Sequence, residues 1–448
     1  MLIETQPELL AHHYTEAEMA SEAIIYWQRA GQRALQQSSN MEALGHLTAG
    51  LALLETLPDT PERPRYELTL QLLLGSALIA AKGYAAPEVE QAYTRARTLC
   101  EQIGEVSRLL QVFLGLEAYY VVRAELRMAY ELAQQCLQLA QQVQNPARLL
   151  NSHHALGLSL FHLGEPAAAL THLEQGMLLY DAQQHRPHHN LQNPGVACRS
   201  YAAWALWHLG YPEQARTRLH EALTLARGLS HPYTMAYGLC FAAGLYQYLR
   251  EAPTTQETAE EAIAISTEHG FPFWFAMGTC LYGWAQATQG QREEGIVQIR
   301  RGIAAWQATG AELAQPHWLA LLAETYGYVG QVEAGLEVLA EALGRVNKHG
   351  ERYCEAELYR LEGELLLRQP IPAVQAAESR FQQAMDIGCR QQARLPQLRA
   401  GVSLGRLWQH QGKRDAARQL LADLYGWFTE GFATADLQEA RALLEEWS

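Results

Sequence analysis

The sequence predicts an all-α chain, a right-handed superhelical solenoid of about ten helical hairpins with a period near 40 residues. Three observations predict it. A column of small residues, Gly157, Ala203, Ala243, Gly283, Ala323, Gly363 and Gly405, recurs at spacings of 46, 40, 40, 40, 40 and 42. A second column in the same register, Gly176, Ala222, Ala262, Gly302 and Ala342, recurs at 46, 40, 40 and 40. Between them lies a repeated turn: Gly164-Glu165-Pro166, Gly210-Tyr211-Pro212, Gly290-Gln291-Arg292, Gly330-Gln331-Val332 and Gly412-Lys413-Arg414. In each, a glycine ends one helix and a polar or Pro-bearing stretch starts the next.

Each period is therefore a pair of helices crossing closely at small residues. No single pair can bury its own apolar face, so stacked neighbours must supply the core. The order of small, aromatic and glycine positions is that of tetratricopeptide (TPR) repeats, lengthened from about 34 residues to about 40. A helix near 7–15 makes residues 1–23 an N-terminal capping segment. Running the register along the chain places hairpins at 24–57, 63–104, 106–143, 145–181, 194–228, 230–270, 271–310, 311–350, 351–390 and 392–430, which fill 24–430. A last helix near 435–446, opened by "TADLQEA" with Thr434 as its N-cap, makes 431–448 the C-terminal cap. The six surplus residues between Gly157 and Ala203 fall in "DAQQHRPHHNLQNPG", 181–195, the one long loop. A shorter one, "LPDTPERP" at 57–64, closes the first hairpin. No shift in composition marks a second domain.

With 448 residues, 48% hydrophobic and 18% charged, the chain can bury a large core. Its net charge of −14 argues against a nucleic-acid binder, which needs a basic stripe to displace counterions. The lysines are Lys82, Lys348 and Lys413 alone. Seven cysteines, an odd number without a C-x-x-C pair, indicate neither a disulfide framework nor a zinc knuckle and suit a reducing cytoplasm. "MLIETQPELL" has no basic or apolar signal region, and no apolar run reaches the roughly 18 residues a membrane span needs, so neither export nor a membrane is expected.

The motifs of nucleotide and metal chemistry are missing: no G-x-x-x-x-G-K-[ST], no G-x-G-x-x-G and no H-E-x-x-H. "GVSLG", 401–405, matches the G-x-S-x-G nucleophile elbow, but its surroundings have helical apolar spacing and Gly405 belongs to the small column, so Ser403 is not read as a nucleophile. The adjacent pairs His12/His13 and His153/His154 point about 100° apart on a helix and cannot chelate alone. His153 and His154 read as half-buried helix residues, and His185, His188 and His189 as solvated loop. The ten Trp and 21 Tyr read as core packing rather than stacking platforms for bases. No catalytic residue, cofactor or metal is expected; the enzyme alternative would be a hydrolase at Ser403 or a histidine-bound metal.

Several phrases together carry a resemblance: "QPELLAHHYTEA" (6–17), "YWQRAGQRAL" (26–35), "NPGVACRSYAAWALWHLGYPEQA" (193–215), "EAELYRLEGELLL" (355–367) and "GWFTEGFATADLQEARALLEE" (426–446). Over residues 5–446 the chain resembles the C-terminal repeat region of large bacterial signalling proteins. These join a class III adenylate/guanylate cyclase domain to a STAND-type P-loop ATPase and then to TPR repeats. The catalytic apparatus of that family lies in the cyclase and ATPase modules, so the resemblance implies none here. It implies an array that senses a ligand or docks a partner and controls the ATPase. The histidines of 185–189, Gly401 and Gly405 depart from the family pattern.

The expected function is therefore a scaffold or sensor whose concave face, lined by the first helix of each hairpin, binds a peptide, a protein segment or a small ligand. Positions one and four after the small column, and six before it, face that groove. They supply Asn151, Trp204, Trp207, Tyr237, Gln247, Trp284, His317, Glu324, Glu357, Glu364, Arg399 and Arg406 as partner-binding residues, aromatics beside charges of the kind that anchor interfaces. The competing role is self-association or intramolecular packing, with a homo-oligomer as the product.

Overall fold

A computed structural model describes residues 6–181 and 191–447. His185, His188 and His189 lie outside the described residues. Among those described, every regular element is an α-helix. α1 (Pro7–Glu16) leads into α2 (Ala20–Gln36), α3 (Asn40–Leu54), α4 (Arg63–Lys82), α5 (Pro87–Ile103), α6 (Val106–Val122), α7 (Leu126–Val143), α8 (Pro146–His162) and α9 (Pro166–Leu178). Next along the chain come α10 (Pro194–Leu209), α11 (Pro212–Leu229), α12 (Pro232–Tyr248), α13 (Ala252–Glu268), α14 (Pro272–Thr288), α15 (Arg292–Ala308), α16 (Gln315–Tyr328) and α17 (Val332–His349). The chain closes with α18 (Glu355–Leu367), α19 (Val374–Arg390), α20 (Arg394–His410), α21 (Arg414–Tyr425) and α22 (Ala435–Glu446). Pairs from α2/α3 to α20/α21 form ten hairpins, flanked by α1 and α22.

Local chemistry explains where helices start and stop. Many begin with proline in the first turn, where its missing N–H is one the helix could not have bonded anyway. Asn145 and Asn193 cap α8 and α10 through their side chains, accepting from the N–H of Arg148 and of Gly195 and Val196. Thr434 does not cap α22. Its hydroxyl turns back to donate to the carbonyl of Gly431 at 2.7 Å, so the expected side-chain cap is replaced by a turn. The five predicted turn glycines all have positive φ, between 75° and 101°. At Gly210 the requirement is double: φ is 93°, and a Cβ there would lie 2.5 Å from the Trp427 ring and 2.9 Å from Arg394 Cβ.

The two small columns mark the closest helix crossings. Ala203, Ala243, Ala323, Ala222, Ala262 and Ala342 are wholly buried. A Cβ at Gly157 would meet Leu173 at 2.6 Å, and one at Gly302 would meet the backbone N of Cys280 at 2.7 Å. In α14/α15, Gly283, Gly295 and Gly302 all face the partner helix, so two backbones touch directly.

The winding decides the site. The turns inside the hairpins of one half pack on the connections between hairpins of the other. The Val122 carbonyl accepts from the N–H of Glu312 (2.9 Å) and Leu313 (3.0 Å), and Arg123 donates to the Gly310 carbonyl at 3.2 Å. Arg352 N–H donates to the His162 carbonyl at 2.8 Å, and His162 Nδ1 lies 3.2 Å from Glu351 Oε1. Tyr211 meets Trp427 at 5.4 Å between ring centroids, and Arg250 pairs with Glu439 at 2.6 Å. Residues 187 to 189 apart in the chain thus meet repeatedly, one superhelical turn every four to five 40-residue periods. Successive turns touch, and the concave face is enclosed instead of open.

Candidate functional site

Among the described residues two cavities open on the enclosed concave side. The larger, about 420 Å³, is walled by the first helices α10, α12, α14, α16, α18 and α20 and closed by the capping helix α22. The smaller, about 190 Å³, lies among α4, α5, α6, α8, α10, α12, α14 and α16. Tyr353 borders both, and Phe161 (5.1 Å) and His162 (5.1 Å) pack on its ring.

Five arginines (250, 360, 368, 399 and 406) and five acids (Glu324, Glu357, Glu364, Asp436 and Glu439) line the larger cavity. Opposite charges sit together because a half-buried charge must find a partner. Arg399 is the hub. Its guanidinium lies 4.9 Å from the centre of the Trp207 ring, pairs with Asp436 at 2.8 Å, and donates to the Tyr248 carbonyl. Arg250 joins Asp436 (3.4 Å) to Glu439 (2.6 Å), which also holds Arg406 (2.7 Å). On the neighbouring α18, Arg360 pairs with Glu357 at 2.6 Å and approaches Glu364 at 3.7 Å. Burial works against an ionised Glu357, but the Arg360 guanidinium beside it holds its carboxyl below the usual range. Glu324 accepts from Trp284 Nε1 and from Tyr328 Oη, both at 2.8 Å. His208 and His317 are kept neutral by burial, which lowers them to about 4 and about 3, and His208 Nδ1 donates to the Trp204 carbonyl. Trp207 Nε1 and Gln247 Oε1 are among the buried groups of this wall that have no partner among the described residues.

The twelve residues expected in the groove all line these cavities, divided between them. Trp207, Gln247, Trp284, His317, Glu324, Glu357, Glu364, Arg399 and Arg406 border the larger. Asn151, Trp204 and Tyr237 border the smaller. One correction concerns the open groove itself. Trp204, Trp207 and Tyr237 are only 5%, 3% and 3% exposed: Trp204 packs on Phe241 and Tyr248 and Tyr237 on Trp274, all of adjoining hairpins, while Arg399 from the next superhelical turn covers Trp207. The Trp204 ring lies against the gap left by Gly244 and its Nε1 donates to the Phe241 carbonyl at 3.0 Å. Ser403 sits in the middle of α20 and donates to Glu364 at 2.7 Å, with no strand before it. His153 and His172 share a 3.0 Å contact between Nδ1 atoms, both half-buried. Among the described residues no cluster of three His, Cys, Asp or Glu could hold a metal, and no helix is long and apolar enough to cross a membrane.

Sequence reasoning missed Arg250, Arg360, Asp436 and Glu439. A signal existed for one of them: Glu357, Arg360 and Glu364 stand at i, i+3 and i+7 on one helix face. For Asp436 and Glu439 there was none, since α22 reads as an end cap until the winding brings it over the cavity.

Residues 150–175, 196–221 and 398–423 match the tetratricopeptide repeat family, each match starting in a first helix and ending in its partner. The fold is that of a TPR solenoid. Among solved structures, a Rap protein complexed with competence and sporulation factor overlays with a TM-score of 0.60 and 14% identity, covering 83% of this chain and 99% of that one. The Rap conjugation gene regulator of plasmid pLS20, in complex with the Phr* peptide, overlays with a TM-score of 0.52 and 12% identity over 82% of this chain and 96% of that one. These likenesses show the fold alone. An uncharacterized protein of Rhizobium meliloti (strain 1021) is 22% identical over 385 residues, 85% of this chain. The chain spans 36% of the length of that relative.

Proposed function

We propose that this chain is a non-catalytic TPR interaction module that encloses a short peptide or protein segment in its larger cavity. The observation that carries the reading is the charge network: ten charged side chains of both signs beside Trp207, Trp284 and the unpartnered Gln247 Oε1. An extended segment offers what those groups recognise, a backbone rich in donors and acceptors and side chains of either charge. Two solved structures of like fold are complexes, one of them with a peptide by its own description, which supports the choice of ligand class. The resemblance to repeat regions of cyclase and STAND ATPase proteins supports a further step, in which occupancy controls an associated signalling module. The route would be the seam: a ligand carboxylate competing for Arg250 or Arg406 withdraws their grip on α22.

The test is selection of short peptides from a displayed library on the purified chain, with Glu364→Ala/Arg406→Ala as the comparison. Arg406 is 48% exposed and Glu364 28%, so the double variant should stay folded, with a modest loss of melting temperature from the contacts of Glu364 with Ser403 and Arg360. Selected peptides are expected to bind the variant at least about tenfold more weakly, the loss of one or two charge-assisted contacts. A library that yields no binder, or binders indifferent to the change, contradicts the reading.

A further inference from the structure

The smaller cavity holds a group that peptide capture in the larger one does not use. Glu117 lies within α6, "VSRLLQVFLGLEAYYVV", as the one ionisable side chain of the helix apart from Arg108 and two tyrosines. It is 5% exposed and is one of the residues that line the cavity. Among the described residues its one hydrogen bond comes from Ser159 Oγ at 3.4 Å, and no arginine or lysine of theirs lines this cavity. Burial without a cation pushes the carboxyl up to about 8.

Around this acid the wall is aromatic. Ring contacts run from Tyr84 to Trp274 (6.3 Å), from Trp274 to Tyr237 (5.0 Å), on to Phe241 (4.5 Å) and then to Tyr201 (4.7 Å). Tyr84 and Tyr201, at the two ends of that arc, are both close enough to feel the charge of Glu117. A lone buried acid facing aromatic rings is a poor place for an anion, whose charge it repels. A neutral apolar ligand would leave the desolvated carboxyl uncompensated. A cation gains from both, from the carboxylate in a low dielectric and from the negative ring faces.

We propose that this cavity binds a small organic ammonium whose charge pairs with Glu117 and whose apolar body rests against Tyr84, Tyr201, Tyr237 and Trp274. At about 190 Å³ the site is smaller than the pockets of roughly 300 Å³ and above that take drug-sized ligands, so the cation is compact. Binding carries proton bookkeeping. Near pH 7 the free protein holds a proton on Glu117; a permanent cation displaces it, the carboxylate stays with the ligand, and the proton goes to solvent. Burial carries the neighbouring groups away from this range, lowering His154 to about 4 and raising Tyr84, Tyr93, Tyr201 and Cys136, while His162 is engaged with Glu351 and Tyr201.

Calorimetric titration of the full chain with choline and with benzyltrimethylammonium tests this, with 3,3-dimethylbutan-1-ol as the neutral isostere of choline. One of the cations is expected to bind at least about tenfold tighter than the alcohol, with close to one proton released at pH 7 and affinity rising about tenfold from pH 6 to 7, levelling above 8. Glu117→Gln, which keeps the shape, should abolish the preference, the proton release and the pH dependence at an unchanged melting curve. Failure of both cations to bind, equal binding of the alcohol, or a Glu117→Gln variant that keeps the pH dependence would each overturn the proposal. Should that variant not fold, proton release in the parent decides: binding without it overturns the assignment.

Discussion

Trp204→Ala/Trp207→Ala will lower the melting temperature sharply before any question of binding arises. A single buried Trp cut back to Ala costs about 3–5 kcal/mol. Trp204 loses its packing against Gly244 and Phe241 and the hydrogen bond from its Nε1 to the Phe241 carbonyl. Trp207 loses a stacked contact with Tyr248 (4.7 Å) and uncovers the guanidinium of Arg399. Both rings touch Tyr248, so the two costs will fall short of their sum. Arg406→Ala on the same cavity should leave the melting curve almost unmoved, as Arg406 is 48% exposed. A double tryptophan variant that melted like the parent would return both rings to an open groove and contradict the enclosed concave face.

The second large effect lies at a helix crossing. Gly283→Leu places a Cβ 2.7 Å from the backbone N of Ile299 and 2.8 Å from the Gly295 carbonyl oxygen, and backbone cannot swing aside as a side chain can. Overpacking typically costs 1–3 kcal/mol and more where nothing yields, so about 3 kcal/mol or above is expected here. Gly283→Ala sharpens the argument. Alanine gains about 1 kcal/mol of helix propensity over glycine, so on a free helix face it would stabilise. At this crossing it should destabilise. Glu294→Leu, on the exposed face of the partner helix, should stay within about 0.5 kcal/mol of the parent. Thermal melts of the three variants check the order.

The columns that carry these expectations were legible because they are local: nearly every small residue answers to a helix adjacent in the chain, and the same answer repeats about every 40 residues. The hairpins, their glycine turns and the inward direction of the first helices follow from that period. The enclosure does not. It depends on a small rotation at each repeat, summed over four to five of them, until Arg123 reaches Gly310 and Arg250 reaches Asp436. No sequence pattern states that sum, so Trp207 stands at the position the register predicts and is nevertheless covered by Arg399. Glu117 was visible as an acid in an otherwise apolar helix, but only the winding brings Tyr201 and Trp274 around to face it.

The enclosed superhelix is the premise of both cavities, and His162 with Glu351 tests it most directly. The two residues stand 189 apart in the chain, on hairpins that an open solenoid would hold apart, and here they meet at 3.2 Å with both side chains buried. A double-mutant cycle of His162→Gln and Glu351→Gln, read by urea denaturation, should return a coupling energy of about 1 kcal/mol or more, as residues sharing a buried hydrogen bond do. Additivity within about 0.5 kcal/mol, the behaviour of distant and independent sites, would contradict the account.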